Sequence, residues 1–157
     1  MDDEKRPELI LAWIPVDKSR VPPAFAIPFD SDTYLIRVRD RNTVIPGQWL
    51  RNKQCSEVMC CGLEDVPFSF EVLCDTRMDP MDDRPPCEWL PGSRGKVPST
   101  AIQAGITEWM EPLYIARIIV NHKWYAGFVQ SSRRGAIFLI DGVERKLRTY
   151  DVLCSVE

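Results

Sequence analysis

FSFEVLC occupies residues 68–74, and RTYDVLC occupies residues 148–154. The doubled phrase ends a long internal repeat. Gly62, Glu64, Phe70, Val72, Leu73 and Cys74 fall 80 positions before Gly142, Glu144, Tyr150, Val152, Leu153 and Cys154. Upstream, the same offset matches Tyr34 with Tyr114, Arg37 with Arg117 and Gly47 with Gly127, with no gap needed. Further upstream the offset becomes 76, because WIPVDKSRVP (13–22) overlays WLPGSRGKVP (89–98). The difference between the offsets means that the first copy is four residues shorter between Pro22 and Tyr34. Self-similarity at a nearly fixed offset is the signature of a repeat architecture. It divides a single domain, 1–157, into repeat one (9–74), a connection (75–87) and repeat two (88–154).

Each copy reads as β-structure. YLIRVRDR (34–41) and YIARIIVN (114–121) are rich in β-branched and aromatic residues. Their alternation puts Tyr34, Ile36 and Val38 on one strand face, and Tyr114, Ala116 and Ile118 on the equivalent face. AIFLID (136–141) and the two VLC segments add further strands, whereas 13 prolines and 8 glycines interrupt the chain too often for long amphipathic helices. The sequence therefore predicts an all-β fold of short antiparallel strands. The connection, DTRMDPMDDRPPC, is polar with three prolines and reads as a surface crossing. A repeat of roughly 75 residues built from short strands buries too little surface to stand alone. The two copies are thus expected to share one core about a pseudo-twofold axis.

With 157 residues, 45% hydrophobic and 27% charged, the chain supplies one compact core. A net charge of -3 with interspersed signs offers no footprint for a phosphate backbone, so no nucleic-acid partner is expected. The opening MDDEKRPELILAW holds only a short apolar patch from Leu9 to Trp13, neither a signal-peptide core nor a membrane span. No membrane insertion is expected, and the location reads as cytoplasmic, with non-conventional secretion left open. Cys55, Cys60, Cys61, Cys74, Cys87 and Cys154 then read as reduced thiols, Cys74 and Cys154 being buried in the last strand of each copy.

CSEVMCC (55–61) contains no C-x-x-C, and adjacent cysteines on a strand point to opposite faces. Together with a single histidine, His122, this argues against a metal or any other cofactor. His122 falls in a predicted hairpin turn, VNHKW, and no nucleophile motif of the G-x-S-x-G kind occurs. The chain reads as non-enzymatic; the enzymatic alternative would use Glu64 or Glu144 as a general base.

The shared pattern runs W-x-P, V-P, Y-x-x-R, a glycine ten positions after that arginine, G-x-E, and [FY]-[ED]-V-L. In this order and doubled, it resembles the DM-nine repeat family from Trp13 to Leu153. The resemblance implies a small tandem-repeat β-protein that recognises carbohydrate, similar to mannose-binding pattern-recognition lectins of innate immunity and to intracellular members that respond to infection. It also implies a cradle made of an aspartate in the loop before Y-x-x-R and a lysine directly after the glycine. There a carboxylate accepts two sugar hydroxyl protons while an ammonium donates to hydroxyl oxygens. This chain departs from that pattern. In copy two Thr107 stands at the aspartate position and Phe128 at the lysine position, and Ala126 replaces the proline before the glycine. Copy one keeps Pro46 and Gly47 as a turn but carries Gln48 at the lysine position, and its shortened loop offers only Asp30 or Asp32.

The carbohydrate-binding candidates are therefore Asp30, Asp32, Arg37, Gln48 and Glu64 in copy one, and Thr107, Arg117, Phe128 and Glu144 in copy two. Each has a plainer reading. Gln48 fits a polar loop facing water, Phe128 a core phenylalanine, the glutamates a turn backbone, and the arginines aliphatic stems covering a sheet. Trp13 and Trp89 read as paired core anchors. Two functions follow: recognition of mannose-type glycans at a partly degenerate site, or a protein-interaction module on the same fold. The second would use Trp109, Trp124 and Tyr125 as exposed aromatics toward protein partners, and a homodimer is compatible with either.

Overall fold

The computed structural model describes residues 11–16, 22–51, 56–60, 69–77 and 81–156. Copy one contributes β1 (Leu11–Val16), β2 (Pro28–Asp30), β3 (Thr33–Asp40), β4 (Thr43–Arg51), β5 (Ser56–Met59) and β6 (Phe70–Asp75). Copy two contributes β7 (Cys87–Ser93), β8 (Gln103–Ile106), β9 (Pro112–Val120), β10 (Lys123–Gln130), β11 (Gly135–Ile140), β12 (Val143–Leu147) and β13 (Thr149–Ser155). A single 3-10 turn, Ser131–Arg133, is the only helical element among the described residues. No helix among them is long and apolar enough to cross a membrane.

All the strands belong to one antiparallel sheet whose main path runs β1-β6-β3-β4-β8-β9-β10-β11-β12. The copies join along it where Val44 of β4 pairs with Ile106 of β8. The turns follow the chemistry of tight hairpins. Asn121 and His122 between β9 and β10 have φ of 50° and 66°, and Asp141 and Gly142 between β11 and β12 have 52° and 78°. A two-residue turn that follows the strand twist needs positive φ at both positions, which asparagine, aspartate and glycine tolerate best.

The repetition is visible in matched interactions. Ile36 pairs with Val72 and Arg37 with Glu71, as Ala116 pairs with Val152 and Arg117 with Asp151. Cys74 and Cys154 are buried, each with its sulfur 3.4 Å from the carbonyl oxygen two residues earlier. The register also corrects the alignment read from sequence. Ala26 donates to Pro23 and Ile27 to Leu73, whereas Ala101 donates to Pro98 and Ile102 to Leu153, so the offset there is 75. The loop is thus shortened by five residues, and it lies between Ile27 and Tyr34. Gln48 faces Met59 while Phe128 faces Ile137, an offset of 78. The β4–β5 connection is therefore two residues longer than its counterpart, and the ungapped match from Tyr34 to Cys74 is replaced by two compensating gaps. Connections vary in length at little cost while the strands they join stay in register, which is why sequence identity alone hid both changes. The turn expected at Pro46 and Gly47 is likewise absent, because both residues lie inside β4.

Each copy buries both faces of its strands. Ile36, Val38, Trp49, Phe70 and Val72 form one core with Tyr34 packed against it, and Ala116, Val129, Phe138, Tyr150 and Val152 form another with Tyr114 and Ile118. The opposite faces meet in a third core of Leu35, Leu73, Ala104, Ile115, Ala126 and Leu153, against which both Trp13 and Trp89 pack. This last cluster draws on both copies, as expected of halves too small to be stable alone. Between the copies, Asp75, Arg77, Asp82 and Arg84 form a chain of ion pairs that fastens the described part of the connection.

The repeated glycine has a steric origin. A Cβ on Gly47 would lie 2.6 Å from the Met59 carbonyl oxygen, and one on Gly127 would lie 2.0 Å from that of Ile137. In both copies the next strand crosses so closely that no side chain fits. Forcing one in displaces backbone, at a cost typical of overpacking. Gly127→Ala is expected to lower stability by about 1–3 kcal/mol, measured as a reduced urea midpoint with unchanged m-value. A midpoint equal to that of the wild type would remove this account of the glycine.

Candidate functional site

Three of the copy-two candidates, Thr107, Phe128 and Glu144, line one pocket of about 220 Å³. Thr43 and Ile45, from β4 of the other copy, complete its wall. Its floor is apolar: Phe128 is 7% exposed and clusters with Leu113, Ile137, Ile45 and Leu139. The β11–β12 hairpin brings Glu144 opposite Leu139, and the 3-10 turn, ended by Arg134 in the left-handed region, presents Arg133. Glu144 Oε1 accepts a hydrogen bond from Arg133 Nη1 at 3.0 Å, with both side chains 43% exposed. Such a solvated pair retains a free carboxylate edge and further guanidinium N–H groups for a ligand. This places a carboxylate beside a cation at the rim of the pocket.

The pocket wall is held by Glu111. Its carboxylate accepts from the Ser132 backbone N–H and the Ser132 hydroxyl, both at 2.7 Å, and from the Gln130 amide at 3.1 Å. Its own N–H donates to Thr107 Oγ1 at 3.1 Å, and its carbonyl accepts from Thr107 N–H. These bonds join the Thr107 turn to the 3-10 turn that carries Arg133. Burial alone would raise the Glu111 pKa, but the hydrogen bonds from Ser132 and Gln130 outweigh it and hold the carboxyl below its ordinary value.

The other candidates do not join this site. Gln48 is 4% exposed, neither in a loop nor facing water. Its Oε1 accepts from Ala126 N–H at 3.0 Å across the seam between copies, and its Nε2 lies 3.5 Å from the Met59 sulfur. Asp30 accepts from Ser31 N–H, and Asp32, at φ 59°, accepts through its backbone carbonyl from Arg51 N–H; both side chains are exposed. Glu64 lies outside the described residues. Glu144 bonds to a guanidinium and not to the backbone of its own turn. Arg37 stacks on Trp13 at 4.8 Å and pairs with Glu71 at 3.0 Å. Arg117 lies between Trp89 and Trp124 at 4.6 and 4.4 Å and pairs with Asp151 at 3.1 Å. The arginines therefore do more than cover the sheet, and Arg117 borders a second, more open groove of about 590 Å³.

Tyr125, expected among the exposed aromatics, is only 5% exposed and belongs to the copy-two core; Trp124 is half-buried and Trp109 is 84% exposed. Cys74, Cys87 and Cys154 are free thiols, and burial, with a smaller effect from nearby Asp75, pushes Cys87 up to about 11. No cluster of metal-ligating side chains occurs among the described residues. The sequence reading missed Arg133, Gln130 and Glu111. The only signal available was a basic SSRR stretch between two predicted strands.

A carboxyl with a lowered folded-state pKa stabilises the fold above its unfolded value and loses that contribution as pH falls through the folded one. Glu111→Gln is therefore expected to be less stable than the wild type at neutral pH. The gap should close in acid, below the ordinary glutamate range. Urea midpoints at a series of pH values test this, and a gap independent of pH would exclude the ionised clamp.

Comparison with curated proteins finds no match. The model of the DM9 repeat matches residues 29–147, which include every described residue of the pocket and both sides of the seam. The chain belongs to the DM9 repeat family.

Proposed function

We propose that the pocket between the copies binds a mannose-type sugar residue, and that the protein is a non-enzymatic recognition protein of the innate-immune kind, working in the cytoplasm without a cofactor. The observation that carries this reading is the 3.0 Å Glu144–Arg133 pair at the rim of a pocket floored by Phe128. A pyranose presents adjacent hydroxyls on its edge and C–H groups on its face. Glu144 accepts the hydroxyl protons, Arg133 donates to hydroxyl oxygens, and Phe128 with Leu113 meets the apolar face. Family membership is compatible with this and equally with a module for protein contacts. The second reading is favoured by one observation, the exposure of Trp109 and Met110 at 84% and 75%. Aromatic and methionine side chains are enriched where proteins meet, and a second copy of this chain would be one such partner.

Because the cradle is small and its charges are solvated, the affinity for a single sugar should be weak, with Kd on the order of 1 mM. Amide NMR spectra recorded during mannose titration, with galactose as control, should show shifts at Thr107, Phe128, Gln130, Arg133 and Glu144. Glu144→Gln and Arg133→Ala should each weaken binding about tenfold, the loss expected for one charge-assisted hydrogen bond. Absence of any saccharide-specific shift would overturn the glycan reading and turn the search to protein partners.

A further inference from the structure

We infer that Trp109 forms a second glycan subsite beside the pocket, so that the protein selects an oligosaccharide over a single sugar. The inference rests on the glycan reading above and adds to it a platform that this reading does not use. Trp109 is 84% exposed, the most exposed tryptophan on the described surface, and lies at the tip of the turn that starts at Thr107, a residue of the pocket wall. Met110 N–H donates to the Thr107 carbonyl at 3.0 Å, closing the turn, with Met110 in the left-handed region at φ 67°. Two residues of chain span at most about 7 Å, so the Trp109 backbone lies within that distance of Thr107 in the pocket wall.

The turn is not free to swing away. Glu111, at its far end, is fixed by three hydrogen bonds to Gln130 and Ser132, and Gln130 lines the same pocket. Both ends of the turn are therefore tied to the pocket wall, while its tip projects into solvent. An indole on a fixed base offers a large flat apolar surface with only two side-chain torsions to order, which makes it an economical contact for a ligand. Its N–H adds a polar edge that can meet a hydroxyl. Glu108, exposed beside it, brings a second carboxylate to the same tip. A residue linked to the sugar in the pocket would place its C–H face on Trp109 and its hydroxyls toward Glu108.

The test uses the full chain titrated with mannose and with mannobiose, monitored by amide and indole N–H signals and by calorimetry. Mannobiose is expected to bind about tenfold tighter than mannose, the scale of one added aromatic contact, and to shift the Trp109 indole signal. Trp109→Ala should reduce mannobiose to the affinity of the monosaccharide for the wild type, and Trp109→Phe should restore part of the gain. So exposed a ring contributes little to packing, and an unchanged thermal midpoint for Trp109→Ala checks that the fold is intact. Equal affinities for the two sugars, or a mannobiose preference that survives Trp109→Ala, would overturn the subsite while leaving the pocket as a sugar site. In that case the exposed turn belongs to protein contacts. Binding of neither sugar by the wild type would overturn the pocket reading and the subsite together.

Discussion

Each copy of this repeat has an apolar sheet face that its own strands do not cover. Leu35 and Leu73 in one copy, and Ile115 and Leu153 in the other, point away from the core that their own copy builds. Burying side chains of this size is worth about 1.5–3 kcal/mol each, and the two copies cover these faces together. The seam therefore sets the arrangement of everything else. At its centre is a buried amide: Gln48 Oε1 satisfies the Ala126 N–H, which would otherwise be left without a partner in an apolar setting. At the sequence-equivalent positions stand Phe128 and Pro46. Proline has no N–H to satisfy, so no amide is needed there, and Phe128 is free to floor a pocket. One substitution pair thus explains why the two halves of the seam differ.

The same divergence appears inside the separate cores without loss of packing. Copy one places Trp49 with Cys60, 5.0 Å from Phe70 across the ring centroids. At the structurally matched positions copy two has Val129 and Phe138. Trp49 and Cys60, a large and a small member of one core, are exchanged for Val129 and Phe138, a small and a large member of the other. Such swaps conserve volume and are tolerated where either change alone would leave a cavity or a clash. The copies have kept their registers, their Trp–Arg–acid stacks and their crowded glycines, while the residues around the seam have specialised.

What the sequence could show follows from what duplication preserves. Strand faces were legible because period-two alternation is read residue by residue, and Ile36, Val38 and Arg37 lie on the faces their alternation assigns. The shared core was legible from size alone. Gap positions were not, since Ala26 and Ala101 are matched by hydrogen bonds to Pro23 and Pro98 that leave no trace in composition. The site was half legible. Thr107, Phe128 and Glu144, three of the candidates, line one pocket, but Arg133 enters from a connection two residues shorter than its counterpart. Loop length determines where that guanidinium reaches, and no spacing rule in the sequence records it. Gln48 and Tyr125 misled for a different reason: a polar residue or tyrosine on a strand gives no indication whether the face it occupies will be covered by the other copy.

The pocket is itself a product of the seam. Thr43 and Ile45 come from one copy, and Phe128, Arg133 and Glu144 from the other. In a separated repeat the floor around Phe128 would open to water and the wall supplied by β4 would be missing. Anything that binds there contacts both copies, and so binds the assembled fold and not its parts. By mass action a ligand of this kind stabilises the closed seam by an amount fixed by its concentration relative to its Kd. Loss of packing between Leu35, Ile115 and Leu153 would lower the ligand's apparent affinity without touching any residue of the pocket. Under the proposed binding, occupancy of the pocket and the joining of the two copies would be one equilibrium, limited by the stability of the shared core.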